Sequence, residues 1–156
     1  MKRMTISIAL LLLLQTSNPQ SDELRRVYAQ TKNYILKAAE KMPEENYAFR
    51  PAPRVRTFGQ ILGHVAEEQY LFFCGPAKGE NKAADIEKTK TSKADIVVAL
   101  KESFAYCDTV YDELTDRDGA KLSLLWKNLI HDNQHYGNLV TYLRIKGLVP
   151  PSTEGQ

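Results

Sequence analysis

Apolar residues recur every three or four positions in four separate stretches of the chain, which places them on one face of an α-helix. These stretches predict helices over residues 22–42, 57–73, 92–114 and 122–146. No stretch alternates apolar and polar residues in the way that is typical of a half-buried strand. We therefore predict an all-α fold, an antiparallel four-helix bundle with its apolar faces packed together.

Capping and breaking residues mark the ends of these helices. Ser21 is expected to cap the first helix, Thr57 and Gln60 form a capping-box pattern before the second, and Ser92 precedes the third. Gly75-Pro76 is expected to end the second helix. The polar segment that follows, up to Thr91, is long for a bundle connection, so it is either mobile or lies over a site.

The first 20 residues have the three-part layout of a secretory signal peptide. Lys2 and Arg3 precede an apolar run that ends at Leu14, and a polar segment containing Pro19 follows. The run is shorter than the roughly 20 residues that span a membrane. We predict a cleaved signal peptide over 1–20, a bundle domain over 21–156, and export to the periplasm or the exterior, with membrane attachment only through an uncleaved leader.

The charge balance argues against a nucleic-acid partner. The chain carries 21 Lys and Arg against 19 Asp and Glu, and the excess of two is Lys2 and Arg3 of the leader. The remaining domain is therefore neutral, whereas a protein that binds nucleic acid through its phosphates needs a basic surface.

Cys74 and Cys107 are the two cysteines of the chain. An oxidising compartment would permit a disulfide between them, but the sequence does not fix their separation. Two unpaired, buried cysteines are an equally good interpretation.

The three histidines are the strongest chemical signal. His131 and His135 are four residues apart in the predicted fourth helix, so their side chains project from one face about one turn apart. This spacing allows two imidazoles to bind one metal ion, and His64 of the second helix could supply a third ligand from across the bundle. The alternative is that His131 and His135 lie partly exposed on a solvated face.

A polar stripe on the fourth helix borders its apolar stripe, as a cleft inside a bundle would require. It consists of Asn128, His131, His135, Asn138 and Tyr142. Asn128 and Asn138 are candidate partners of the imidazoles, with surface polarity as the alternative.

Three acidic residues adjoin the histidines in sequence. Glu67 and Glu68 follow His64 by three and four positions, so either could act as general base or hold a ligand imidazole in one tautomer. Exposure on a solvated helix face is the alternative for both. Asp132 is ambiguous in the same way, since it neighbours His131 but is rotated about 100° from it on the helix.

The chain resembles the DinB-like (YfiT-like) metalloenzyme family in three segments that lie between residues 42 and 150. The matching stretches are residues 42–59 with Arg50-Pro51, residues 59–66 around His64, and residues 131–150 with the H-x-x-x-H pair and Gly147 to Pro150.

The resemblance implies a four-helix bundle, often a homodimer, whose divalent metal is held by His64, His131 and His135. Zinc is the first expectation; nickel, iron and copper also suit imidazole ligands, and manganese is a further candidate. The metal site and the leader together predict an exported metal-dependent hydrolase or transferase acting on a small molecule. The alternative is a non-catalytic bundle that binds a metal or a small ligand. A leader would also remove the chain from cytosolic thiols, which some relatives use.

Overall fold

A computed structural model describes residues 20–155, and these residues form helices and loops without a strand. The elements are α1 (Gln20–Lys41), α2 (Phe58–Glu68), a π-helical turn (Gln69–Phe73), α3 (Cys74–Lys78), α4 (Ile86–Thr89), α5 (Lys93–Asp112) and α6 (Gly119–Ile145), with short 3-10 turns at Glu44–Asn46 and Pro151–Thr153. The predicted all-α bundle is confirmed. The predicted leader lies outside the described residues, apart from Gln20. None of the described helices is long and apolar enough to cross a membrane.

The four long helices pack so that α1 and α2 each contact both α5 and α6. The pair α1 and α5 is antiparallel, since Lys93 at the start of α5 donates to the carbonyl oxygens of Glu40 and Met42 at the end of α1. The pair α2 and α6 is also antiparallel, since the Tyr142 hydroxyl near the end of α6 donates to the Arg56 carbonyl just before α2.

The other two neighbouring pairs run in the same direction. The backbone N–H of Ser21 donates to Asp116, which places the start of α1 beside the turn that precedes α6. A disulfide joins Cys74, at the end of the second helical segment, to Cys107 in the second half of α5. A parallel α2–α5 pair needs a connection that returns along the bundle, and residues 79–92 supply it.

The predicted apolar stripes form the core. The first helix buries Leu24, Thr31, Ile35, Ala38 and Met42, and Val27 is half-buried. The predicted third helix corresponds to α5. Each residue of its predicted stripe is at most 3% exposed: Ile96, Leu100, Phe104, Cys107, Tyr111 and Leu114. Burial of these stripes supplies the main stabilisation of the bundle.

The helix caps agree with the sequence at two of three sites. The Thr57–Gln60 capping box is present, and the Ser92 side chain accepts from the backbone N–H of Asp95. The cap expected at Ser21 is wrong, because Ser21 lies inside α1 and its N–H is bound by the Asp116 carboxylate at 2.8 Å.

The second helical segment does not end before Gly75-Pro76. The Cys74 N–H donates to the Gln69 carbonyl five residues back, and this π-helical turn leads into α3. Gly75 is needed there because a Cβ would clash with the carbonyl oxygen of Tyr70. Pro76 falls in the first turn of α3, where a missing N–H is tolerated. The helix ends instead at Gly79, which has a φ of 76°.

The pairing of the cysteines, open from sequence, is settled by this geometry. Their Cα atoms are 5.4 Å apart, both residues are fully buried, and the sulfurs are bonded. The disulfide fastens α3 and the π-helical turn to α5.

Removing this disulfide should destabilise the domain. The cross-link closes a loop of 33 residues, so the doubly substituted Cys74→Ala, Cys107→Ala protein should lose about 3–4 kcal/mol of unfolding free energy. Urea unfolding of the oxidised, the reduced and the substituted protein measures this, and the last two should agree. Equal urea midpoints for all three proteins would contradict the presence of the Cys74–Cys107 disulfide.

Candidate metal centre

The structure brings the three histidines of the chain together. His64 lies in the second turn of α2, and His131 and His135 face it from successive turns of the antiparallel α6. One ring nitrogen from each lies within 4.8 Å of the others. The ring centroids are separated by 5.2, 4.9 and 4.5 Å. This triad could hold a metal ion.

Burial favours the neutral imidazoles that bind metals. His135 is 7% exposed, and His64 is half-buried. Desolvation is the main cause that lowers the pKa of His135 to about 3, followed by the charges of His131 and His64. Desolvation, followed by the charge of Arg56, also lowers the pKa of His64. Both rings therefore carry a free lone pair at neutral pH.

The carboxylate of Glu87 sets the tautomer of His64. Its Oε2 lies 3.1 Å from Nδ1 of His64. An ionised carboxylate only accepts hydrogen bonds, so Nδ1 carries the proton and Nε2 carries the lone pair. That lone pair points into the triad, where Nε2 of His64 is 3.3 Å from Nε2 of His131.

Asp132 lies behind His131. Its Oδ1 is 3.6 Å from Nδ1 of His131, and the side chain is 1% exposed. Neither carboxylate oxygen has a hydrogen-bond partner within residues 20–155, and burial raises the pKa of Asp132 to about 6. The solvated interpretation of Asp132 is therefore wrong: rotation around α6 carries it into the core beside the imidazole.

Glu87 is held in place from three sides. Its Oε1 pairs with Nε of Arg56 at 2.9 Å, and its backbone N–H donates to the Glu67 carboxylate at 3.1 Å. The short helix α4 that carries it lies directly on Gly63, where an added Cβ would be 3.0 Å from the Glu87 Cα. The long polar connection thus lies over the site, as one of its two interpretations predicted.

The two glutamates proposed from sequence support the site from behind His64. Glu68 places Oε1 3.8 Å from Nδ1 of His64, on the edge of the ring that Glu87 also faces. Burial is the main cause that raises the pKa of Glu68. Glu67 binds the Glu87 backbone. The position of Glu68 fits the role of holding the imidazole, the second of the two roles considered, whereas Glu67 contacts the Glu87 backbone rather than the ring.

The polar stripe of α6 divides between core and cleft. Asn138 is exposed on the cleft, but Asn128 is fully buried and donates to the Tyr111 hydroxyl at 3.2 Å. Both sequence interpretations of Asn128 are therefore wrong, since its position in the core ties α6 to α5.

An open cleft of about 680 Å³ leads to His135. Its walls come from the loop before α2, the face of α2, the short helix α4 and the second half of α6. The lining residues besides His135 are Pro51, Arg54, Val55, Arg56, Ile61, Glu87, Gln134, Asn138, Thr141 and Tyr142. On another side of the triad, the Phe73 ring lies 5.1 Å from that of His131. A small molecule could therefore approach the triad past His135.

Comparison with known proteins agrees with this geometry. The family model of the DinB superfamily matches residues 28–139, which include all three histidines. The chain belongs to the DinB superfamily. It is also similar to the uncharacterized protein YjoA of Bacillus subtilis (strain 168), with 24% identity over 142 residues that cover 82% of this chain and 92% of that protein. The family predicted by resemblance is confirmed.

Neutralising Glu87 should weaken metal binding in this DinB-superfamily protein. Glu87→Gln removes the charge that fixes the His64 tautomer, and zinc affinity should fall about 10- to 100-fold. Glu68→Gln, at the longer distance, should cause a smaller loss. Competition with a chromophoric chelator measures both affinities, with unfolding midpoints as a control for the fold. A larger loss in Glu68→Gln would contradict the assignment.

Proposed function

We propose that the protein is an exported, metal-dependent hydrolase or transferase that acts on a small molecule. His64, His131 and His135 would hold a divalent ion at the inner end of the cleft. Zinc is the leading candidate, ahead of nickel, iron, manganese and copper, because it suits three imidazoles with a further position open to substrate.

This proposal rests on the Nε2 atoms of His64 and His131, which face each other. Glu87 fixes the Nε2 lone pair of His64 toward the triad, and the Asp132 carboxylate lies 3.6 Å from Nδ1 of His131, the nitrogen on the far side of that ring from His64. The two Nε2 atoms face each other at 3.3 Å, so both can direct a lone pair at one ion held between them. The buried Nδ1 of His135 also has no hydrogen-bond partner within the described residues. The donor set therefore fits a metal ion.

When bound, a divalent ion would polarise a substrate oxygen or lower the pKa of a water molecule. The residues of the chain supply the rest of the site. Glu87 orients His64, Arg56 orients Glu87, and Asp132 places a buried carboxylate beside His131. His135 opens onto the cleft, so a substrate there would lie beside the triad.

The positions of the carboxylates favour an enzyme over the alternative, a non-catalytic bundle that binds a metal or small ligand. Storage or structural sites fill every position around the metal with protein groups. Here Glu68 and Glu87 lie at Nδ1 of His64, the edge that faces away from His131. The cleft side of the triad is left open.

Two features support export. The N-terminal leader pattern predicts secretion, and the Cys74–Cys107 disulfide is typical of proteins in oxidising compartments. The homodimer that the family resemblance implies is also a proposal.

Metal analysis tests the site itself. The purified protein should contain about one divalent ion per chain, and His135→Ala should lose most of it because one of three ligands is removed. Lys127→Ala, an exposed substitution on the same helix, should keep the metal. Mass spectrometric metal analysis gives the content, and equal content in His135→Ala and in the parent would refute the site.

The open position can be tested separately with cobalt. In the cobalt-loaded protein, added azide should change the visible spectrum, because an exogenous ligand enters a vacant position. A spectrum that azide leaves unchanged would indicate a closed, non-catalytic site. The same measurement on the cobalt-loaded Glu87→Gln protein shows how the spectrum responds to azide when the group that orients His64 is altered.

Export should leave a processed chain. Intact mass of the protein from the periplasmic or culture fraction should correspond to loss of about the first 20 residues. Full-length protein confined to the cytosol would contradict export without affecting the metal site.

A further inference from the structure

We propose that the cleft beside His135 selects a small organic anion, whose carboxylate or phosphate group is bound by Arg54 and Arg56. This inference names the substrate class of the same site and rests on the proposed function. It follows from the charged side chains that line the cleft and from the guanidinium N–H groups that remain available to a ligand.

The two arginines reach the cleft from the loop before α2. Arg54 and Arg56 both line it, together with His135 of α6. Glu87 bridges Arg56 and His64, with Oε1 2.9 Å from Nε of Arg56 and Oε2 3.1 Å from Nδ1 of His64, which places the guanidinium close to the triad. An anionic group held there would lie next to the imidazoles.

The carboxylate that lines the cleft already has two binding partners. Glu87 is the one carboxylate in the cleft lining, and its two oxygens bind Nε of Arg56 and Nδ1 of His64. Within residues 20–155 the guanidinium of Arg54 has neither a hydrogen bond nor an ion pair. The cleft therefore carries an excess positive charge, which a divalent ion in the triad would increase.

The N–H groups of a guanidinium are spaced to bind two oxygens of one carboxylate or phosphate group. Arg54 presents five N–H donors, and Arg56 retains those that Glu87 does not bind. Such forks bind carboxylate and phosphate in a bidentate manner. The Tyr142 hydroxyl donates to the Arg56 carbonyl at 2.6 Å, so the backbone that carries the arginines is fixed before a ligand arrives.

The remaining walls fit an organic body rather than a bare inorganic ion. Val55, Ile61 and the Tyr142 ring supply apolar surface, whereas Gln134 and Asn138 supply amides. A volume of about 680 Å³ falls within the range of small-molecule sites. The ligand would contact the arginines through its charged group and the α6 wall through its body.

Three ligands of similar shape test whether charge determines the affinity of the cleft: benzoate, phenyl phosphate and the neutral benzamide. Titrations of the zinc-loaded protein at low salt, followed by NMR chemical shifts, give the three affinities. We expect at least one of the two anions to bind about tenfold more tightly than benzamide. The tighter anion identifies the group as carboxylate or phosphate.

Arg54→Gln should reduce this preference, weakening the favoured anion about tenfold while leaving benzamide unchanged. Arg117→Gln is the matched control, since Arg117 is exposed in the turn between α5 and α6, away from the cleft. It should bind all three ligands like the parent. Because Arg54 has no hydrogen bond within the described chain, its loss should not affect the fold, which unfolding midpoints check.

Two results would overturn the inference. One is equal affinity for the anions and benzamide, and the other is an anion preference that survives undiminished in Arg54→Gln, which would show that Arg54 does not bind the anion. If zinc loads normally in either case, the proposed metal site stands and this inference alone fails. If zinc does not bind the triad, the proposed function fails, and the same titrations of the metal-free protein still decide the role of Arg54.

Discussion

The contact between Glu87 and His64 joins the long connection to the bundle and determines which ring nitrogen of His64 faces the other two histidines. A carboxylate that accepts at Nδ1 leaves the Nε2 lone pair of His64 directed at His131. The contact in turn depends on close packing of α4 against α2, which Gly63 permits because it lacks a Cβ. Without this packing, the imidazole would lose the group that orients it.

The helix pairing supplies the other half of the site. Antiparallel α2 and α6 place His64 opposite a pair of histidines whose four-residue spacing already puts them on one face. Parallel α2 and α5 require a long return connection, and that connection carries Glu87. The topology that brings the three histidines together thus also brings in the residue that orients one of them.

At the other end of the triad, a covalent link stabilises an irregular helix. The π-helical turn ends at Phe73, whose ring packs beside His131, and the next residue, Cys74, is bonded to Cys107 of α5. A π-helical turn is less stable than regular α-helix and often lies at a functional site. The disulfide holds this turn against the core, so one wall of the triad does not depend on helix propensity alone.

The residues that the sequence could predict are those whose positions follow from helical periodicity. The apolar stripes predict the four long helices, and the H-x-x-x-H spacing together with the family resemblance predicts the three histidines. Glu87 could not be found in this way, because α4 has four residues and is too short to show a period. Gly75-Pro76 was misleading, since a π-helical turn accommodates both residues. Asn128 was misinterpreted because its partner, the Tyr111 hydroxyl, comes from another helix.

The central claim is that the three imidazoles bind one metal ion. A crystal structure of the protein grown with zinc, with anomalous scattering measured at the zinc edge, tests it most directly. The account predicts one strong peak within about 2.1 Å of a ring nitrogen of each of His64, His131 and His135. A zinc peak at other residues, or an empty triad in which His64 turns away from His131, would contradict it.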